Sequence, residues 1–422
     1  MPEPADLTAT QAARQIAARR LTPIALMESC LDRIARREPE LRAMAAFDAG
    51  QARREAAAAL PGPLHGLPLG IKDVLDTADH PSEYGSVIWR GHRSRADAAC
   101  VAWARAAGAV VAGKTVTTEF ATRRPGPTAN PHGLARTPGG SSSGSAAGVA
   151  AGFFPLAFAT QTAGSIVRPA AFCGVVGFKP SFGTLPRLGM KVMSESLDTI
   201  GVIARSVADC ALFVGALCRR DLGDPDAMPS RAPRIGVCRS PLWDSAGPET
   251  QALLERAAAA LARAGASVVA RELPDDFTAL TEAHPIVMNA ESAASLGWEM
   301  TTRRDQLSPG LREAMERGLG HPAETLDLAR ASFAQCQAAF PAAMDDLDIL
   351  LTPAAPGEAP EGLGWTGDPA FNFIWTALHV PCVTVPAGIG PNGMPLGLQV
   401  VARRGEDRAA LAWAQWVASA LN

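Results

Sequence analysis

Apolar positions three and four residues apart predict helices near both ends of the chain, and short alternating runs predict strands between them. Thr8 to Ala18 reads as a helix with Thr8 at the N-cap and Gln11 at N3, the pattern of a capping box. Pro23 to Arg37 puts Ile24, Met27, Cys30, Leu31 and Ile34 on one face, and Gln51 to Leu60 is a third helix, stopped by Pro61-Gly62-Pro63. Leu67, Leu69 and Ile71 alternate as in a short strand, with Lys72 at its end. A helix over Ala98 to Ala107 ends at Gly108, a strand follows over Ala109 to Ala112, and Pro125 to Pro138 is loop. Cys173 to Pro180 reads as a strand with a turn. Ser206 to Cys218 is a helix with Ser206 as N-cap and Asp209 at N3. Strand Arg234 to Cys238, helix Pro248 to Ala264 and strand Ala266 to Leu273 follow in an α/β succession. Residues 280–345 are mostly helical and carry no chemical motif. Strands are expected over Leu347 to Thr352, Cys382 to Val385 and Leu396 to Ala402, and helices over Asn372 to Leu378 and Ala409 to Leu421.

One stretch fits neither period. Gly139-Gly140-Ser141-Ser142-Ser143-Gly144-Ser145-Ala146-Ala147-Gly148 leads into the apolar run Val149 to Ala159, and Thr160-Gln161-Thr162-Ala163-Gly164-Ser165-Ile166-Val167-Arg168-Pro169 follows. A flexible linker would not carry Val149, Phe153, Phe154, Leu156 and Phe158 between its serines. The pattern predicts two loops whose backbone matters, held on one buried support. Thr162-Ala163-Gly164 before Ser165 can turn several N–H groups inward, as an oxyanion hole requires. A turn that caps a helix at Ser165 fits the same residues equally well.

The 422 residues are 47% hydrophobic and 19% charged, a globular composition, and no repeat or linker divides them, which predicts one domain. A net charge of −3 provides no basic field for nucleic acid or an anionic membrane. The run Ala146 to Ala159 is too short to span a bilayer and contains Pro155, and Met1 to Thr10 lacks the apolar core of a signal peptide. Eight scattered cysteines without a C-x-x-C read as reduced thiols of a cytoplasmic protein. Of 39 Lys and Arg only four are Lys, namely Lys72, Lys114, Lys179 and Lys191, all in one part of the chain. A buried Lys can lose its proton where an Arg cannot. Gly108 to Thr115 matches a phosphate-loop pattern letter for letter, but a helix precedes it and a strand fills it, so nucleotide binding is not expected. Among the seven His there is no H-E-x-x-H, and the chain has no G-x-S-x-G. His132, in Asn130-Pro131-His132-Gly133, reads as a loop hydrogen-bonder.

Gly66 to Asp73, Gly139 to Ala146 and Thr160 to Pro180 resemble, in order and spacing, the motifs of the amidase signature family. Gly113-Lys114-Thr115 with Glu119-Phe120-Ala121, then Ser196-Leu197-Asp198, Asp345 to Pro353 and Pro381 to Ala402 extend the resemblance over most of the chain; residues 280–345 match least. The resemblance implies one α/β domain over residues 1–422, with its motif core at about 66–205 and a central mixed β-sheet surrounded by helices. It also implies a Ser–cis-Ser–Lys triad, with Ser165 as nucleophile, Ser141 as bridge after a cis Gly140–Ser141 peptide, and Lys72 as base. The oxyanion donors would be the backbone of Thr162, Ala163, Gly164 and Ser165. No metal or organic cofactor, a small-molecule amide substrate and a homodimer are implied in the same way.

Three positions depart from the family pattern: Gln161 stands where Asp is common, Ala163 where Gly is common, and Val167 where Arg is common. The Arg comes one place later, at Arg168. That shift is similar to the malonamidase branch, in which an Arg three residues after the nucleophile binds the substrate's free carboxylate; an ion pair holding the loop is the competing role. The expected activity is hydrolysis of a small carboxylate-bearing amide such as malonamate through an acyl-enzyme. The alternatives are the glutaminase-type subunit of a transamidation complex and an amidase for another small, neutral amide.

Overall fold

A computed structural model describes residues 3–224, 226–227 and 229–421. Its strands are β1 (Met44–Ala46), β2 (Pro68–Lys72), β3 (Val110–Thr115), β4 (Leu156–Gln161), β5 (Val176–Lys179), β6 (Thr199–Ala204), β7 (Arg234–Val237), β8 (Ser267–Ala270), β9 (Ile349–Pro353), β10 (Cys382–Ile389) and β11 (Pro395–Val401). They form one sheet in the order β1-β3-β2-β4-β6-β5-β10-β11-β9-β7-β8. β2 is parallel to β3 and β4, and β7 to β8 and β9, while the other neighbours pair antiparallel. This is the expected α/β domain with a mixed sheet surrounded by helices.

Side-chain alternation sorts the strands onto two covered faces. Leu69 and Ile71 of β2, Leu156 and Phe158 of β4, Ile200 and Val202 of β6, and Leu398 and Val400 of β11 enter one continuous core. Ala157, Ala159 and Ile203 enter a second core on the opposite face, and Leu350, Cys382 and Val401 a third. Strands buried on both faces read as apolar runs rather than alternating ones. β4 does not stand out because it continues such a run from the helix before it, and the three-residue β1 is too short to.

The Val149 to Ala159 run is two elements, not one. The helix Ser143–Ala151 already starts inside the serine cluster and stops at Gly152, whose φ of 78° is left-handed. Phe153 to Pro155 turn the chain into β4. The first of the two predicted loops is therefore largely the first turns of a helix. The capping interactions form as expected: Thr8 accepts from the Gln11 amide, and Ser206 accepts from the Asp209 amide. Asp209 also accepts from Thr10 N and Oγ1, at 2.8 and 3.0 Å, which ties the first helix to the Val207–Cys218 helix.

All eight cysteines are free thiols. Among the described residues no helix is long and apolar enough to cross a membrane, and no cluster of three His, Cys, Asp or Glu is arranged to hold a metal. The phosphate-loop match is resolved by context, since Gly113, Lys114 and Thr115 lie inside β3. Lys114 Nζ is occupied by Asp73 Oδ1 at 3.0 Å, the Leu75 carbonyl at 2.8 Å and Ser82 Oγ at 2.5 Å.

Candidate active site

The parallel strands β2 and β4 end on the same side of the sheet, which brings Lys72 beside Thr160 and the turn that follows β4. The segment before the Ser143–Ala151 helix closes the third side. The Gly140–Ser141 peptide there is cis.

Three of the four lysines are fully buried, so their clustering in sequence reflects burial near the sheet. Their partners separate them. Lys114 has a carboxylate, and Lys179 has the Pro180 and Val380 carbonyls. Lys72 has two hydroxyls and one carbonyl: Ser141 Oγ at 2.7 Å, Thr160 Oγ1 at 2.7 Å and Thr160 O at 3.2 Å. The three N–H donors of an ammonium fit these three oxygens, and a neutral amine fits them as well when Ser141 donates to its lone pair. Burial holds the Lys72 pKa well below that of an ordinary lysine, and the more distant Asp198 charge opposes this weakly. The neutral form is the one that can take a proton from Ser141.

Each serine of the cluster has its own task. Ser142 Oγ donates to the Ser165 carbonyl at 2.6 Å, Ser143 Oγ to the Gly139 carbonyl at 2.7 Å, and Ser145 Oγ to the Phe158 carbonyl at 2.8 Å. Ser141 is the one that reaches Lys72. Ser165 is 7% exposed and faces a cavity of about 190 Å³, where its hydroxyl makes no protein hydrogen bond among the described residues. Lys72 and Ser141 are joined by a hydrogen bond, and none joins Ser141 to Ser165 among the described residues.

The turn from Thr162 to Ser165 has all four of its carbonyls engaged. Thr162 O lies 2.9 Å from His284 Nε2, Ala163 O accepts from Thr376 Oγ1 at 2.8 Å, Gly164 O accepts from the Arg168 amide at 2.9 Å, and Ser165 O accepts from Ser142. The N–H groups of the same four residues have no protein acceptor among the described residues. With the carbonyls pinned outward, these amides are donors without partners beside Ser165. An oxygen gaining negative charge among them would be stabilised by about 3–4 kcal/mol per well-placed donor.

The departures at 161 and 163 have local explanations. Gln161 Oε1 accepts from the Ile166 and Val167 amides at 2.9 and 3.1 Å, and its Nε2 donates to Thr376 Oγ1 at 3.0 Å, so it braces the turn from within. Ala163 does not adopt a positive φ, so its methyl imposes no left-handed strain. Glycine is required next door: a Cβ at Gly164 would lie 2.3 Å from Asn372 Oδ1.

Arg168 is buried and lines the cavity with Ser165. Its Nη2 donates to the Gly140 carbonyl at 2.8 Å and to Thr366 Oγ1 at 3.3 Å, while Nε and Nη1 are buried without partners. Burial pushes its pKa down to about 10, with Asp368 opposing, and the group stays cationic at neutral pH. The ion pair that would make it purely structural is absent among the described residues. It both holds the Gly140 peptide and offers two free donors.

Several contributors have no role that the sequence assigns. Thr160 opens one of the family-like segments and Asp198 ends another, but neither segment says what these side chains do. Asp198 accepts from Thr162 Oγ1 at 2.5 Å and from the Met193 and Ser194 amides, and is buried. His284 comes from the Leu280–Ser295 helix, in the segment that resembles the family least. His132, as expected, bonds a loop carbonyl, that of Cys173, at 3.0 Å.

Burial pushes the His284 pKa down to about 4, so the ring is neutral and Nε2 carries the proton given to Thr162. His379, bonded to the Ser196 carbonyl, is likewise pushed to about 4. Both folded values lie below the reference of ~6.5. The unfolded chain then binds more protons between those values, so stability is present above pH ~6.5 and is lost as pH falls towards 4. Thermal unfolding across this window should show a declining midpoint, and His284→Gln should remove about half of the slope, each histidine accounting for up to ~1.4 kcal/mol per pH unit. An unchanged slope in the variant would assign the acid lability elsewhere.

The family described as Amidase matches residues 25–411. A glutamyl-tRNA(Gln) amidotransferase subunit of Roseiflexus castenholzii is 32% identical over 467 residues, covering 96% of this chain and 94% of that protein. The 2-amino-5-chloromuconic acid deaminase of Comamonas testosteroni is 33% identical over 436 residues, covering 94% and 92%. A crystal structure of an amidase superposes with a TM-score of 0.90 at 30% identity, over 99% of this chain and all of that one.

Proposed function

The chain belongs to the amidase signature family, and from that membership we propose that it hydrolyses a small carboxylate-bearing amide, malonamate-like, with Ser165 as nucleophile, Ser141 as bridge and Lys72 as base. In this reading Ser165 Oγ attacks the amide carbon. Its proton passes to Ser141 Oγ as the Ser141 proton passes to neutral Lys72. The carbonyl oxygen becomes an oxyanion among the Thr162, Ala163, Gly164 and Ser165 amides. The proton held on Lys72 returns through Ser141 to the departing nitrogen, ammonia leaves, and an ester on Ser165 remains. Water repeats the sequence on that ester and frees the acid. The relay needs a Ser165–Ser141 hydrogen bond in the substrate complex. The observation that carries the proposal is the buried Lys72, without a carboxylate partner and 2.7 Å from Ser141.

The substrate class rests on charge. The cavity lining contains Arg168 and Arg123 and no acidic side chain. The free Nε and Nη1 of Arg168 suit a carboxylate. A second reading, the glutaminase-type subunit of a transamidation complex, is favoured by the Roseiflexus relative. The lining speaks against it, because the ammonium of free glutamine would meet no counter-charge there. The neutral-amide alternative leaves the two Arg168 donors unused.

Kinetics of the purified chain on malonamate, glutamine and a neutral amide of malonamate's size test this. A charge-assisted hydrogen bond is worth roughly 1.5–3 kcal/mol, so Arg168→Ala should lower kcat/KM for malonamate about 10- to 150-fold more than for the neutral amide. Equal losses would leave Arg168 as a brace for the Gly140 peptide only. Glutamine turned over as well as malonamate would favour the second reading. The proposal also takes residues 1–422 as one catalytic unit working as a cytoplasmic homodimer; sedimentation of the purified chain tests the dimer.

A further inference from the structure

Two polar side chains of the Leu280–Ser295 helix have no part in the mechanism above. Asn289 and Ser292 are three residues apart and share one helix face. They are 7% and 4% exposed, and both line the cavity that holds Ser165 and Arg168. Neither side chain hydrogen-bonds to protein among the described residues. The Asn289 main chain is pressed against the Pro309–Gly320 helix, where a Cβ at Gly318 would lie 2.3 Å from the Asn289 carbonyl oxygen. Of the other buried positions of the same helix, Leu280, Ala283, Val287 and Ala293 are apolar, while His284 bonds the Thr162 carbonyl and Glu291 accepts from Ser194 and Ser196. An amide and a hydroxyl that meet no protein partner and open onto the cavity are available to a bound group there.

We propose that Asn289 and Ser292 form a subsite for an uncharged hydrogen-bonding group of the substrate, a carboxamide, ureido or hydroxyl substituent, separate from both the scissile amide and the carboxylate. An asparagine amide and a serine hydroxyl each give and take hydrogen bonds, so the pair suits a group that does both. No acidic side chain lines the cavity, which disfavours an ammonium group at this position. The subsite rests on the reading of this cavity as the amidase site, but not on the role of Arg168.

Two substrate pairs separate the questions. The anionic pair is malonamate and its carbamoylmethyl-branched derivative; the neutral pair is pentanamide and 3-ureidopropionamide. Wild-type kcat/KM is expected to favour the polar member of each pair, and Asn289→Leu and Ser292→Ala should each reduce that preference about 5- to 10-fold, mainly through KM. Ser292→Thr should retain it. Because the removed groups have no protein partner, the thermal midpoint of the variants should hold or rise, which the loss of a structural polar residue would not allow. Absence of any wild-type preference, or variants that lose both members of a pair equally, would overturn the subsite. If Arg168→Ala instead shows no carboxylate discrimination, the preference within the neutral pair still reports on Asn289 and Ser292, so the two failures are distinguishable.

Discussion

Ser165→Ala is expected to lower amide turnover by about 10⁴-fold or more while the thermal midpoint stays where it is. The two halves of that expectation have separate grounds. The hydroxyl is the attacking group of the proposed mechanism, and no neighbouring hydroxyl is equivalent: those of Ser142, Ser143 and Ser145 are committed to backbone carbonyls. The contribution of residue 165 to the fold runs through its carbonyl, which accepts from Ser142, and alanine keeps it. The hydroxyl itself has no protein partner whose loss would destabilise the chain. Turnover of a small amide measured beside thermal unfolding checks both halves. A variant within tenfold of wild type at an unchanged midpoint would remove Ser165 from the role of nucleophile.

The residues that were legible in the sequence are those whose chemistry is unusual for their surroundings. Lys72 ends an apolar strand in a chain that otherwise uses Arg, and it proves to be buried with neutral partners. The Gly-Ser cluster was legible as a backbone-critical segment, but not as four different tasks, because a serine that donates to a carbonyl and one that meets a lysine look alike in sequence. The sheet was legible where turns bound short runs, as at β7, β8 and β9. It was not at β4, whose apolar residues continue the run that begins in the preceding helix, so that helix and strand read as one segment. His284, Asn289 and Ser292 were invisible for a different reason. They meet the site from a helix more than a hundred positions further along the chain, and nothing local to that helix distinguishes a residue facing a cavity from one facing a core.

The departures from the family pattern were legible as differences but not as compensations. Gln161 looks like the loss of an acid until its amide oxygen is seen taking two backbone N–H groups of the following turn. Arg168 presents a choice between holding the loop and holding substrate. Its one nitrogen on Gly140 O and its two free nitrogens beside the cavity show that these uses do not compete for the same atoms.

Lys72→Met should lower hydrolysis by about 10²- to 10⁴-fold, the range for a lost general base, and should also change how stability depends on pH. The folded pKa of Lys72 lies well below its ordinary value because the side chain is buried. The unfolded chain, with its lysine near ~10.4, therefore binds more protons between the two values. Unfolding free energy must then rise with pH through that window, and the wild type is less stable below it than above. Methionine fills a similar volume without the proton, so the variant should lose this slope. Within that window it trades the cost of stripping a proton from Lys72 against the lost contacts to Ser141 and Thr160. The catalytic arm has the same origin. Only the neutral amine can accept from Ser141, so wild-type kcat/KM should fall on the acid side as Lys72 protonates at its lowered pKa. Were Lys72 an ordinary charged lysine, the rate would instead keep climbing with pH until about 10. A Met variant within tenfold of wild-type activity, or one with the wild-type stability slope intact, would show that the proton on Lys72 is not the one the reaction moves.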